Sequence, residues 1–172
     1  MAAIVSYLAP GIAEFAAQRD GPLHIVTHSL GGLVARSLIL EHRPAQLGRV
    51  VMLAPPNAGS EIADLLYLTR LNRLFLGPVG PQVRTARLIE DEQLLGEVDF
   101  DLGIIAGSRP LDPLFPRLMM PRPNDGKVTV AATQVAGMAD HIVLPVSHTL
   151  MMYDRRVVAQ AMAFLADGRF VR

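Results

Sequence analysis

The 172-residue chain has no cysteine, which excludes disulfides and cysteine-ligated zinc and fits a reducing compartment. It has no charge excess either: 16 lysines and arginines balance 16 aspartates and glutamates, so nothing draws it to nucleic acid or an anionic membrane surface. No uninterrupted apolar run approaches the roughly 20 residues that a transmembrane segment needs. Met1-Ala2-Ala3 does not open a basic segment followed by a hydrophobic stretch, as a secretory leader would. These absences lead us to expect a cytoplasmic protein with no metal, no cofactor, no transmembrane segment and no nucleic-acid partner. What the chain does have is apolar mass, 51% of its residues, enough for a single domain over 1–172 with a substantial core.

That mass is distributed in alternating periods. Ile4, Leu8, Ile12 and Phe15 recur at helical spacing, with Pro10-Gly11 marking either a kink or a fresh start. A strand is expected over Leu23 to Thr27, then a helix from about Leu30 to Glu41 with Leu30, Leu33, Val34, Ser37 and Leu38 on one face, stopped by Pro44. Strands follow at Arg49 to Ala54, Phe100 to Gly107 and Ile142 to Val146, and a last helix near Leu150 to Ala166. Short apolar runs alternating with amphipathic helices are the signature of βαβ units and a parallel sheet, here of about four strands. Pro145 lacks a ladder donor, which places the last strand at an edge.

Two segments interrupt the alternation. Residues 57–95 are leucine-rich (Ile62, Leu65, Leu66, Leu68, Leu71, Leu74, Leu76), start at a plausible N-cap, Ser60, and contain the turns Gly77-Pro78 and Gly80-Pro81. They read either as core helices or as a cap over an apolar acyl pocket, because the loops beyond the carboxyl ends of parallel strands are where such sheets bind ligands. Pro110 to Pro123 holds five prolines and reads as an ordered loop.

The most telling stretch is Thr27-His28-Ser29-Leu30-Gly31-Gly32, between an apolar strand and a helical pattern. Strand, sharp turn and helix with a serine at the apex is the setting of a nucleophile elbow, in which a strained backbone lifts the hydroxyl over the sheet edge. Gly31 supplies the downstream glycine; Thr27 stands where an upstream glycine is usual. Asn124-Asp125-Gly126 is a turn that puts Asp125 on a loop after the Phe100 to Gly107 strand. Ser147-His148-Thr149 directly follows the last strand. Acyl transfer through serine needs a base to take its proton and a carboxylate to orient that base. Ser29, Asp125 and His148 each follow a strand, and in a parallel sheet those strand ends share one edge.

With these residues in this order, the chain resembles the α/β-hydrolases, and more narrowly their bacterial lipase and esterase members. The resemblance rests on His24 to Gly32, Pro123 to Gly126 and Leu144 to Thr149. It implies a partial α/β-hydrolase fold and a serine hydrolase of carboxylic esters or lipids, without cofactor. Ser29 would be nucleophile, His148 base and then acid, Asp125 the orienting carboxylate, and the Leu30 N–H an oxyanion donor. Such folds carry further strands before the nucleophile strand, and a second oxyanion donor there. Here one helix precedes Ser29, so the N-terminal half of the sheet is expected to be missing and the edge at 23–27 open, a surface for a homo-oligomer. Losing one oxyanion donor costs on the order of 10²–10³ in turnover. The alternative reading is therefore a catalytically impaired hydrolase-like fragment acting as an association module.

Other assignments compete. Ser29 could be only an N-cap, and His148 could cap the last helix. His141 is a rival base, expected at the opposite sheet edge because it precedes its strand. His24 reads as a core histidine and His28 as a flank that shapes the site. Asp101 falls within a strand; Asp112, on the proline-rich loop, is the best substitute for Asp125. Met151 and Met152 are expected to pack the last helix.

Overall fold

The computed structural model describes residues 1–60, 95–111 and 120–172. The readings of residues 61–94, including most of the cap segment 57–95, and of Asp112 lie outside these residues. Four parallel strands, β1 (Leu23–His28), β2 (Leu47–Leu53), β3 (Leu102–Gly107) and β4 (Asp140–Leu144), lie side by side in chain order. The helices are α1 (Ala2–Ala17), α2 (Leu30–His42), the single turn α3 (Val130–Thr133) and α4 (Arg155–Asp167).

Strand alternation builds the layers. Val50 and Met52 of β2, with Leu102 and Ile104 of β3, pack against Ala35 and Ile39 of α2. Val51, Leu53 and Ile105 point the other way, to Val157, Ala161 and Phe164 of α4. Successive side chains of a strand face opposite sides, so α2 and α4 cover opposite faces and the two central strands are continuously apolar, as a buried parallel sheet requires. Gly103 is fitted to this: a Cβ there would lie 2.6 Å from the Phe164 ring. On the outer side of α2, Val34 and Leu38 pack on Val5 of α1. α1 runs unbroken through Pro10, which sits exposed on its surface.

β1 is an edge strand of the described sheet, and one of its faces is left uncovered: Val26 is 50% exposed. His24 shares that face, so it is exposed rather than in the core. Its Nδ1 accepts the Arg49 N–H at 2.9 Å, where the β1–β2 register slips between Leu23 and Ile25. The ring thus takes up a donor that the irregular ladder does not use.

Several boundaries differ from expectation. β2 begins at Leu47 and stops at Leu53, because Ala54 turns to φ 44. β3 starts at Leu102, leaving Asp101 before the strand, 3.6 Å from the Arg49 guanidinium. β4 begins two residues early, so His141 lies inside it and Pro145 just beyond it; the edge position of β4 comes from the sheet order, not from the proline. The last helix is split by Asp154, which caps α4 at Arg156 N–H and leaves Met151–Tyr153 as a separate 3-10 turn. Met151 is fully buried there, whereas Met152 is 43% exposed.

Candidate active site

The carboxyl ends of β1, β2 and β3 point to the same edge, and the loops that leave them meet there. Ser29 follows β1 directly. Its N–H donates to Leu53 O at 2.8 Å, which ties it to the end of β2, and its backbone is at φ 55, ψ −126. That region is unfavourable for a residue with a Cβ and costs on the order of 1–3 kcal/mol. By position Ser29 is the N-cap of α2, yet its side chain makes no capping bond. Gly32 lets the helix follow so closely: a Cβ there would lie 2.8 Å from Pro55 Cβ and 3.1 Å from Met52 Sδ. Thr27 is accommodated because a Cβ on Gly31 would itself only just touch Thr27 Cβ, at 3.4 Å.

Asp125 is 2% exposed and held in a tight loop. Its Oδ1 accepts the N–H groups of Lys127 and Val128 at 2.9 and 2.8 Å. The loop presses on the sheet at Gly107, where a Cβ would lie 2.6 Å from Val146 O and 2.7 Å from Asp125 Cβ. His148, 3% exposed, donates its backbone N–H to Asp125 O at 3.0 Å.

The side chains of Asp125, His148 and Ser29 are joined. Asp125 Oδ2 lies 2.8 Å from His148 Nδ1, and His148 Nε2 lies 2.9 Å from Ser29 Oγ. An ionised carboxylate only accepts, so Nδ1–H donates to it; in the neutral ring Nε2 then accepts from the Ser29 hydroxyl. The serine proton therefore points at a base whose tautomer is set by a buried carboxylate. Leu30, the first residue of α2, carries an amide with no acceptor within the helix, beside the positive end of the helix dipole.

The rival residues lie elsewhere. His141 sits in β4, where its Nε2–H donates to Thr133 Oγ1 at 3.0 Å, the threonine proton being given to Val130 O. Its position, paired with Ile104, is toward the strand starts. His148 does not cap a helix; Asp154 does that. One contributor escaped the sequence reading. Gly107 had registered only as a strand end. His28, read as a flank, donates to the carbonyl oxygen of His148 at 3.0 Å. Burial first, then the charge of His148, lowers its pKa below that of an ordinary histidine.

A cavity of about 610 Å³ between α1 and the end of α2, and one of about 530 Å³ lined by Ser108, Arg109, Arg122 and Asn124, are open in the structure; neither includes Ser29 or His148. Among the described residues no cluster of three His, Asp or Glu side chains is placed to hold a metal, and no helix is long and apolar enough to cross a membrane.

No protein-family model matches the sequence, and no curated protein does. Solved structures do. A lipase of Bacillus licheniformis in its mature form superposes with a TM-score of 0.73 at 17% identity, over 97% of this chain and 73% of that one. A metagenomic carboxyl esterase gives 0.65 at 18%, over 86% of this chain and 52% of its own. An esterase of Pyrococcus furiosus gives 0.56 at 15%, over 94% and 60%. At such identities the likeness is one of fold.

Proposed function

We propose that this chain, which has a partial α/β-hydrolase fold, is a serine hydrolase of carboxylic esters that works through an acyl-enzyme. One observation carries the reading: the Ser29 hydroxyl forgoes the capping bond open to it and is given to His148, itself oriented by buried Asp125. A serine that served only as a cap would turn toward the first amides of α2.

In this mechanism Ser29 Oγ attacks the ester carbonyl carbon while its proton passes to His148 Nε2, and Asp125 stabilises the resulting imidazolium. The carbonyl oxygen, now anionic, takes the Leu30 N–H. Collapse of the tetrahedral intermediate breaks the bond to the alcohol, which leaves with the proton from His148. Water then repeats the sequence on the acyl-serine, returning Ser29 and releasing the acid. No cofactor enters. Structural neighbours that are lipases and esterases support ester substrates.

The test is hydrolysis of a series of p-nitrophenyl esters by the purified protein and by Ser29→Ala. Turnover that depends on Ser29, with an acyl adduct on that residue in quenched samples, is the expected result. Folded protein without turnover on any ester contradicts the proposal and favours the association-module alternative.

A further inference from the structure

His28 closes β1 one residue before Ser29, and the proposed reaction gives it no task. Its Nε2 lies 3.0 Å from the carbonyl oxygen of His148. A carbonyl only accepts, so Nε2 carries the ring proton. The two imidazoles pack at 4.7 Å between centroids, tilted by 48°. Burial and the charges of His148 and Lys127 disfavour protonation of His28 and outweigh the opposing pull of its bond to the His148 carbonyl and of Asp125. A neutral ring adds no repulsion when His148 becomes positive.

The topology gives this bond its meaning. β4, which delivers His148, and β1, which delivers Ser29, lie at opposite edges of the described sheet with β2 and β3 between them. At about 4.8 Å per strand spacing that is roughly 14 Å. From the acid side, His148 is fixed by two bonds to Asp125, through its backbone N–H and Nδ1. On the β1 side its main chain is met by His28, and its ring by Ser29 itself. We infer that His28 is a positioning residue, whose hydrogen bond to the His148 carbonyl holds the loop after β4 across the sheet so that the imidazole reaches Asp125 and Ser29 at once. The inference rests on the ester-hydrolase reading for its consequence in rate.

The test compares His28→Phe, which keeps a ring but loses the donor, with His28→Gln, whose amide can donate to the same carbonyl; melting curves confirm that both fold. Two readouts are taken: the rate at which a fluorophosphonate labels Ser29 between pH 5 and 9, and the proton resonance of the His148 Nδ1–H. His28→Phe should label about tenfold more slowly, the effect of one lost hydrogen bond, and its Nδ1–H should exchange faster with water. His28→Gln should recover most of both. Unchanged readouts in His28→Phe, or no recovery in His28→Gln, overturn the inference. Wild-type protein that is never labelled, while its Nδ1–H responds to the two variants as described, upholds the positioning role and contradicts the ester-hydrolase reading instead.

Discussion

Replacing Asp125 with asparagine isolates the part that a carboxylate plays. Oδ1 accepts two backbone N–H groups, from Lys127 and Val128, so the amide oxygen of an asparagine must take that place. Its NH₂ is then forced into the position of Oδ2, 2.8 Å from His148 Nδ1. Two donors would face each other there. The imidazole resolves this by moving its proton to Nε2, which now donates to Ser29 Oγ and can no longer accept from it. The loop keeps its bonds and the fold survives, but the base is lost. The corresponding change in a Ser-His-Asp triad lowers turnover by about 10⁴, or roughly 5 kcal/mol of barrier at 1.36 kcal/mol per decade. Stability should fall far less, by about 1–3 kcal/mol for the disturbed buried hydrogen bond. The assay is ester turnover beside urea denaturation of the same samples. Asp125→Asn turnover within tenfold of wild type would refute the reasoning.

Further expectations follow from other contacts. Gly107→Ala pushes a methyl against Val146 O and Asp125 Cβ; it should cost at least about 1–3 kcal/mol in denaturant unfolding and reduce turnover about 10²-fold by displacing Asp125. Asp154, whose carboxyl is pushed down to about 2 by side-chain and backbone hydrogen bonds from Arg156, stabilises the fold fully above its usual 3.8 and loses that effect as pH falls through about 2. Asp154→Ala should therefore melt lower than wild type at pH 7 and converge with it near pH 2, and a constant gap over that range contradicts the assignment. The edge of β1, unpaired among the described residues, is expected to pair with a second copy. Light scattering should show a dimer forming as concentration rises; a monomer throughout argues against it.

The sheet was legible because Val50 to Leu53 and Leu102 to Ala106 are uninterrupted apolar runs, as strands buried on both faces of a parallel sheet require. Ser29, Asp125 and His148 stood out for a related reason: each follows a strand at a recognisable turn, and parallel topology brings strand ends to one edge. Boundaries were less legible. The slip at Gly48 and Arg49 and the left-handed turn at Ala54 are set by pairing with neighbours, not by local pattern. The exposure of His24 depends on one face of β1 being left uncovered, which is a property of the fold. The His28 bond to the His148 carbonyl joins residues 120 apart in sequence, and no periodicity encodes it. Gly107 matters through the space that a distant loop occupies, which a single sequence does not display.

The central claim is that Ser29 is an activated nucleophile, and intact mass after incubation with a fluorophosphonate tests it without a choice of substrate. Rapid reaction needs both a base and a site for the developing oxyanion. The account predicts one adduct per chain, mapping to Ser29 and lost in His148→Ala. Folded protein that gains no adduct, or gains one at another residue, contradicts it.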